Sequence, residues 1–237
     1  MTKRIVILTG AGISAESGIQ TFRGADGLWE GHNVMDVASP QGWRKDRELV
    51  LKFYNDRRRQ LLKVKPNAAH LAITELQKEY DVFVVTQNVD DLHERAGNKN
   101  VLHLHGQLRK ARSTVNSNYV VDWDHDITTD DLDKQGNQMR PHIVWFGEDV
   151  PLLDDAVKIV RQADFVWIIG TSMKVYPAAS LVNFASEGTP VIYVDPFPQV
   201  NHELGMMNFE IIEEKASIAI PALVNAFLKQ SENQSEK

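Results

Sequence analysis

Short apolar runs and longer amphipathic stretches alternate along this chain. The apolar runs, rich in β-branched residues, are Arg4–Leu8, Val82–Thr86, Phe165–Ile169 and Val191–Val194, with a weaker one at Val101–Leu104. The helical patterns are Asn67–Lys78, Leu152–Gln162, Pro177–Ser186 and Ala219–Lys229. Because strands that are apolar throughout are buried on both faces, the alternation predicts a parallel sheet covered by helices on each side. We therefore expect an α/β fold with a doubly wound sheet.

Two stretches interrupt this alternation. Residues 24–65 are helical and basic, whereas residues 109–140 are polar, rich in Asp and Asn, and carry one weak strand signal at Tyr119–Trp123. Because both stretches leave the sheet and return to it, we predict a smaller domain inserted into a larger, Rossmann-like one. The larger domain is expected to comprise residues 1–24, 66–108 and 141–237, and the smaller one residues 25–65 and 109–140.

Composition narrows the function. The 237 residues include 26 basic and 32 acidic side chains, and the net charge of -6 gives no electrostatic reason to bind nucleic acid or an anionic membrane. The absence of cysteine excludes disulfides, Cys-ligated zinc, iron–sulfur clusters and cysteine nucleophiles. The apolar run Ile5–Leu8 is too short for a signal peptide or a membrane helix. We expect a cytoplasmic, monomeric protein.

A glycine-rich segment follows the first predicted strand. It reads Thr9-Gly10-Ala11-Gly12-Ile13-Ser14-Ala15-Glu16-Ser17-Gly18. A strand, a glycine turn and a helix start can present backbone N–H groups and a positive helix end to a phosphate. The dehydrogenase spacing is not met, because Ala15 stands where the third glycine would fall. Taken alone, the motif leaves two interpretations open: a phosphate site, or a tight turn in an α/β domain.

Further motifs follow in a fixed order. They are Gly10-Ala11-Gly12-Ile13-Ser14 with Glu16, Ser17, Gly18 and Thr21-Phe22-Arg23, then Thr86-Gln87-Asn88-Val89-Asp90, His105-Gly106, Val144-Trp145-Phe146-Gly147-Glu148 and Gly170-Thr171-Ser172. Together they resemble the signature of the sirtuins, the NAD-dependent protein deacylases. The resemblance runs from about Lys3 to the final helix, and it implies that the larger domain binds NAD.

The resemblance also implies roles for individual residues. His105 matches the general base that takes a proton from a ribose hydroxyl, and Asn88 is the second expected catalytic residue. Strand alternation would place His103 on the same face as His105, so spacing alone does not choose between them. Asn88 and Asp90 would line the nicotinamide pocket, and Gln87 would contact the nicotinamide ribose. The other expected cofactor contacts are Gly10, Ala11, Gly12, Glu16, Thr21, Phe22, Arg23, Gly170, Thr171, Ser172 and Asp195.

Three of these contacts carry a chemical argument of their own. Arg23 can pair with a phosphate, while Phe22 can shield the ribosyl carbon from water. Asp195 stands where many sirtuins have Asn. Its carboxylate can accept hydrogen bonds from ribose hydroxyls and disfavours a 2′-phosphate, which favours NAD over NADP.

Substrate residues are implied in the same way. Val144, Trp145, Phe146, Gly147 and Glu148 resemble the strand that pairs with the backbone of the substrate peptide. Tyr54 and Arg57 lie at i and i+3 on one helical face, and with the small Ala38 they resemble the pocket of sirtuins that act on acidic acyl-lysines. We interpret the neighbouring Arg58 and Arg59 as solvated.

The expected function is therefore NAD-dependent removal of succinyl or malonyl groups, with acetyl groups also accepted, from acylated lysines in proteins or peptides. The products would be nicotinamide and O-acyl-ADP-ribose. Two alternatives stay open: a sirtuin that acts mainly as a deacetylase or ADP-ribosyltransferase, and a non-catalytic sensor of NAD or ADP-ribose.

Most sirtuins carry two Cys-x-x-Cys pairs in the interval that matches Lys110–Pro141, and this chain has none. We expect no metal there, and we expect an apolar cluster of Val115, Tyr119, Val120, Val121 and Trp123 to replace it. Asp122, Asp124, Asp126, Thr128, Asp130 and Asp133 copy the ligand positions of a calcium loop. However, Ile127 stands where that loop needs glycine, and Asp133 is shorter than the usual glutamate. The alternative is a turn followed by a helix that Thr128 or Thr129 caps.

Overall fold

The structure is a computed structural model that describes residues 2–20, 28–200 and 209–235. Its strands are β1 (Arg4–Thr9), β2 (Leu28–Trp29), β3 (His32–Asn33), β4 (Asp81–Thr86), β5 (Val101–His103), β6 (Gly106–Ser113), β7 (Val120–Asp122), β8 (Met139–Ile143), β9 (Phe165–Ile169), β10 (Val191–Val194) and β11 (Phe209–Ile212). Its α-helices are α1 (Val34–Val37), α2 (Pro40–Lys45), α3 (Arg47–Leu61), α4 (Ala68–Leu76), α5 (Leu92–Ala96), α6 (Leu153–Val160) and α7 (Ala216–Ser235). Within these ranges, no helix has the length and apolar character needed to cross a membrane.

Six of the strands form one parallel sheet in the order β11-β10-β9-β1-β4-β5. The chain adds strands to one side of β1 and later to the other, so the order reverses between β1 and β9. The predicted α/β fold class is confirmed, and the five predicted strands all belong to this sheet. The edge strand β11 has no counterpart among them, because none of its four residues is fully buried and Glu210 interrupts their apolar run.

Helices cover both faces of the sheet. Alternate β1 side chains point to opposite sides: Ile5 and Ile7 join a core with α4 and α7, whereas Val6 and Leu8 join one with α6. Three of the four predicted helices are present as α4, α6 and α7. The predicted helix at Pro177–Ser186 is a 3₁₀ helix, which spans Ala178–Phe184.

A third core lies outside the sheet. It joins α1, α2 and α3 to β6 and β8, and its buried members include Val37, Phe53, Leu108 and Trp145. Leu108 and Trp145 lie outside the ranges predicted for the small domain, and the domain boundaries stay a prediction.

Arg58 belongs to the buried face of α3, so its interpretation as a solvated residue is wrong. The side chain is 1% exposed, its Nε donates to the carbonyl of Leu108 at 2.9 Å, and its Nη1 donates to Asn55 at 2.8 Å. The reason is helical spacing, since Arg58 follows the buried Tyr54 by one turn and precedes the buried Leu61. Arg59 is exposed, as predicted.

The segment without cysteines forms a small antiparallel sheet of β7, β6 and β8. Tyr119, Val121 and Trp123 pack against the third core. The predicted place of Val115 in this cluster is wrong, because its side chain is 70% exposed at the loop that follows β6.

Polar contacts hold the long loop of this segment. The Asp133 carboxylate accepts hydrogen bonds from Ser113 Oγ at 2.6 Å and from the backbone N–H groups of Gln135 and Asn137 at 2.9 and 2.8 Å. Asn55 exchanges two hydrogen bonds with the backbone of Ile127, both at 2.9 Å. The loop is therefore fastened to β6 and to α3 without any cysteine.

The acidic side chains at the calcium-loop positions contact different partners. Asp124 accepts hydrogen bonds from Arg109 at 2.8 and 2.7 Å, and Asp126 pairs with Arg59 at 2.6 Å. In the part of the chain that the structure describes, no three His, Asp or Glu side chains converge to hold a metal ion. We propose that the hydrogen bonds of Asp133 take the place of a structural metal in this segment.

Replacing Asp133 with asparagine tests this role. The hydrogen bond from Ser113 is the largest cause of an Asp133 pKa lowered to about 2, so the ionised carboxylate is the form that the loop requires. We expect Asp133→Asn to lower the melting temperature by several degrees, on the order of 5 °C, whereas the exposed Asp130→Asn leaves it unchanged. Differential scanning calorimetry measures both. Equal melting temperatures, or stoichiometric zinc or calcium in the purified protein, would contradict the proposal.

Candidate active site

The carboxyl ends of β1 and β9 meet where the strand order reverses, which is the place where open α/β sheets bind nucleotides. There the loops after the two strands touch backbone to backbone. A Cβ added to Gly10 would lie 2.7 Å from the Gly170 oxygen, and one added to Gly12 would lie 2.6 Å from the Gly170 Cα. Gly170 itself has a φ of 62°, which favours glycine. These glycines let the two loops close on each other.

The glycine segment differs from the predicted phosphate loop in one respect. It leads into a 3₁₀ helix at Ala11–Ser17. The N–H of Gly10 donates to the carbonyl of Ile169 at 3.0 Å, and that of Gly12 donates to the carbonyl of Gly170 at 2.8 Å. Both N–H groups are thus used to hold the turn itself, which is what the tight-turn interpretation predicts. The expected cofactor contacts of Gly10, Ala11 and Gly12 stay a prediction.

A cleft of about 800 Å³ opens beside this turn. Its described lining consists of Ala15, Gly18, Ile19, Gln20, Leu28, Glu30 and Gly31. Its volume lies in the range of about 300–1,000 Å³ that is typical of small-molecule and cofactor sites. The predicted Thr21, Phe22 and Arg23 lie outside the described residues.

Polar side chains at the end of β4 tie three strand ends together. Gln87 Nε2 donates to Thr171 Oγ1 at 3.3 Å. The amide of Asn88 donates to the carbonyl of Gly10 at 3.1 Å and to Ser14 Oγ at 3.2 Å. The structure thus brings the predicted Gln87 and Asn88 to the glycine turn.

Asp90 is buried among donors. Its carboxylate accepts hydrogen bonds from Ser14 Oγ at 3.0 Å and from the N–H of Leu92 at 3.1 Å. Burial raises the pKa of Asp90 to about 6, although both hydrogen bonds oppose the shift. A carboxyl group with this pKa can act as a hydrogen-bond donor or acceptor near neutral pH.

Ser14 and His70 extend this network and are missing from the site residues predicted from sequence. His70 Nε2 lies 3.5 Å from Ser14 Oγ, and its ring packs 4.9 Å from that of His93. Burial lowers the pKa of His70 to about 4 and that of His93 as well, so both rings are neutral. Ser14 stands inside the quoted motif, but its pairing with a residue 56 positions away leaves no signal in the sequence.

His105 has one ring nitrogen occupied. Its Nδ1 lies 3.1 Å from the carbonyl of Gln87, which can only accept, so Nδ1 carries the proton and Nε2 keeps its lone pair. Burial lowers the pKa of His105, which keeps the ring neutral at physiological pH. A neutral imidazole whose Nε2 has no partner among the described residues has the form that a general base requires. Gly106 must follow it, since a Cβ there would lie 2.1 Å from the carbonyl of His142.

His103 is occupied at both nitrogens, unlike His105. Its Nδ1 contacts the carbonyl of Asn88 at 2.9 Å, and its Nε2 contacts Glu94 at 2.6 Å. Burial is the largest single cause and acts to lower the pKa of His103. The hydrogen bond and charge of Glu94, the Asn88 carbonyl and the charge of Asp90 together outweigh it, and the pKa is raised. His103 therefore braces the loop after β4, and the catalytic role of His105 stays a prediction.

The remaining predicted cofactor residues lie around the same sheet edge. Thr171 is buried, and its carbonyl accepts a hydrogen bond from Tyr193 Oη at 2.7 Å. Asp195 follows β10, where burial raises its pKa. Ser172 and Glu16 are exposed. Contacts of these four residues with a cofactor stay a prediction.

Val144–Glu148 is a turn after β8, so its predicted strand conformation is wrong. Gly147 has a φ of 89° and reverses the chain. Glu148 then accepts a hydrogen bond from the N–H of Trp145 at 2.8 Å and pairs with Arg140 at 2.7 Å and Arg112 at 3.1 Å. Two arginines thus fix the carboxylate that closes the turn, and its binding of a peptide backbone stays a prediction.

This turn meets the predicted acyl-pocket residues. The N–H of Phe146 donates to the carbonyl of Ala38 at 2.9 Å. The indole N–H of Trp145 donates to Tyr54 Oη at 3.1 Å, and the Tyr54 side chain is fully buried. The structure therefore brings Ala38, Tyr54 and the 144–148 turn together.

Arg57 lies one turn from Tyr54 with only part of its guanidinium engaged. Nη1 donates to the carbonyl of Phe53 at 2.6 Å, and the group lies 3.6 Å from the centre of the Phe53 ring. Nη2 lies 3.6 Å from Glu30 Oε2. Nε is buried and has no hydrogen-bond partner among the described residues. Burial lowers the pKa of Arg57, and Glu30 opposes this shift.

Curated relatives share this sequence over nearly its whole length. A protein of Helicobacter pylori (strain 26695) named NAD-dependent protein deacylase is 53% identical over 97% of this chain and 99% of its own length. A protein of Bacteroides thetaiotaomicron with the same name is 46% identical over 93% of this chain and 99% of its own length.

Solved structures share the fold. A Sir2 homolog in complex with NAD superposes with a TM-score of 0.86 at 40% identity, covering 97% of this chain and 91% of its own. Sir2Af2 bound to a myristoylated histone peptide superposes with a TM-score of 0.73 at 30% identity, covering 100% of this chain and 94% of its own. The Sir2 family profile matches residues 10–177, well over half of the sequence. The chain belongs to the Sir2 family.

Proposed function

We propose that this member of the Sir2 family is an NAD-dependent protein-lysine deacylase that removes succinyl and malonyl groups, and acetyl groups as well. Family membership and the names of the curated relatives support the deacylase activity. NAD supplies the ADP-ribosyl group that receives the acyl group, and one water is consumed, so the products are nicotinamide, O-acyl-ADP-ribose and free lysine. The cleft of about 800 Å³ beside the 3₁₀ helix that follows the glycine turn has a volume in the range of cofactor sites.

The observation that carries the acidic-acyl preference is the partly engaged guanidinium of Arg57. A buried donor without a partner costs free energy, and among the described residues Arg57 Nε is such a donor. The terminal carboxylate of a succinyl or malonyl group would supply the missing acceptor, and a guanidinium can bind it through two parallel hydrogen bonds. An acetyl group has no such carboxylate and leaves the donor unmet.

Tyr54 supports the same preference. Trp145 donates to the phenol oxygen, which fixes the ring and leaves the hydrogen of Tyr54 itself available to donate. Burial raises the pKa of Tyr54, so the phenol keeps that hydrogen at neutral pH. A protonated phenol beside a guanidinium suits one carboxylate held by both.

On the cofactor side, the chain's residues hold protons in defined places. His105 takes a proton at Nε2, because Gln87 holds the other ring nitrogen. Asn88 fixes the glycine turn, and the carboxyl group of Asp90 can exchange hydrogen bonds with a carboxamide. The buried histidines beneath, His70 and His93, stay neutral and add no charge to this pocket.

One assay tests the proposal. The protein is incubated with NAD and two peptides of identical sequence, one with acetyl-lysine and one with succinyl-lysine, and mass spectrometry follows the products. We expect both peptides to be deacylated, nicotinamide and O-acyl-ADP-ribose to form, and the succinyl peptide to react with the higher kcat/KM. If only the acetyl group is removed, the chain is a deacetylase. If ADP-ribose is transferred to protein, it is an ADP-ribosyltransferase, and if neither peptide reacts, it is a sensor.

A further inference from the structure

The hairpin of β2 and β3 places an acidic residue at its turn. The two turn residues, Glu30 and Gly31, have φ angles of 52° and 78°. Turns with positive φ at both positions favour Asn, Asp or Gly at the first one, since these residues tolerate left-handed backbone. A glutamate is unfavourable there, so the turn itself does not account for the side chain.

The Glu30 side chain lies against Arg57 instead of extending into solvent. Its side chain is only 17% exposed, and Oε2 lies 3.6 Å from Nη2 of Arg57. This distance is longer than the roughly 2.7–2.9 Å of a charge-assisted hydrogen bond. Glu30 therefore supplies Arg57 with a counter-charge but leaves its donors for another acceptor.

The same residue faces the cleft. Glu30 and Gly31 both line the cavity of about 800 Å³. The preceding Trp29 packs edge-on against Phe53 and Tyr54, with ring centres 5.0 and 6.2 Å apart, which docks the hairpin onto the helix that carries Arg57. Glu30 is thus both a wall of the cleft and the charged neighbour of Arg57.

We propose that Glu30 is a specificity-determining residue whose carboxylate competes with an acidic acyl group for Arg57. The inference rests on the proposed recognition of acidic acyl groups. An acyl carboxylate that enters beside Glu30 meets a like charge, which weakens its binding. When a neutral acetyl group is bound, Glu30 compensates a guanidinium that would otherwise stand partly buried and unpaired. Glu30 therefore narrows the preference between the two substrate classes and keeps the enzyme active on both.

Steady-state kinetics of Glu30→Gln with paired succinyl- and acetyl-lysine peptides test this competition. The variant keeps the size of the side chain and removes its charge. We expect the ratio of kcat/KM for succinyl over acetyl to rise about tenfold above wild type. The change should lie in a lower KM for the succinyl peptide, with its kcat unchanged, and in a lower kcat/KM for the acetyl peptide. Glu48→Gln, an exposed residue on α3, is the charge-matched control and should leave the ratio at the wild-type value.

Two further variants separate charge from backbone effects. Glu30→Asn suits the turn and also removes the competing carboxylate from Arg57, so it should raise the ratio as Glu30→Gln does. In an Arg57→Met background, Glu30→Gln should leave the ratio unchanged. If wild type removes succinyl groups but the ratio stays level or falls in Glu30→Gln and Glu30→Asn, the competition is refuted and the proposed function stands. If wild type removes no succinyl group, the proposed function itself is refuted.

Discussion

Replacing His105 with alanine is expected to lower kcat for deacylation by about 10²- to 10⁴-fold while NAD still binds, because a positioned general base contributes an effect of this size. Gln87 fixes the protonated nitrogen at Nδ1, and burial keeps the ring neutral. Alanine has no imidazole ring, so the variant lacks the Nε2 atom that accepts the proton. Single-turnover assays with an acyl-lysine peptide and calorimetric titration with NAD measure the two quantities separately.

The matched control is the exposed His125, whose replacement by alanine should leave both quantities unchanged. A His105→Ala variant with full turnover would remove the central catalytic assignment. If the variant loses both NAD binding and turnover, His105 is a cofactor-binding residue. Its contact with the backbone of Gln87, a predicted NAD contact, would then account for the loss.

The sheet could be predicted because its strands are apolar throughout. Residues such as Ile5 and Val6 face opposite layers, so both faces need burial and the run reads as continuous. The 3₁₀ helix at Ala11–Ser17 could not be predicted, since its start depends on contacts between Gly12 and Gly170, which lie far apart in sequence. Local patterns do not carry such pairings.

Some features of the candidate site could also be predicted from sequence, and others could not. Gln87, Asn88 and Thr171 follow buried strands, and parallel strands bring their carboxyl ends to one edge, so their proximity could be predicted. The burial of Arg58 and the contact between Glu30 and Arg57 could not. Each depends on where a helix or hairpin docks, and charged side chains are solvated by default.

Arg57→Met is expected to lower kcat/KM for desuccinylation by about 100-fold or more while most deacetylation is kept. Methionine preserves the apolar stem over Phe53 but removes every donor that a carboxylate could use. Without the guanidinium, the succinyl carboxylate is bound with no partner for its charge, and this substrate is strongly rejected. The acetyl group has no carboxylate and loses no such contact. Paired peptides, compared by kcat/KM in the same assay, measure the split.

Arg59→Met is the matched control, because Arg59 lies on the same helix with its side chain 52% exposed and paired to Asp126. It removes the same charge and should change neither activity. Arg57→Lys keeps the charge but loses the planar fork, so its desuccinylation should fall between those of wild type and Arg57→Met. If Arg57→Met lowers both activities equally, Arg57 supports the fold through its bond to the Phe53 carbonyl, and the acidic-acyl preference must come from another residue.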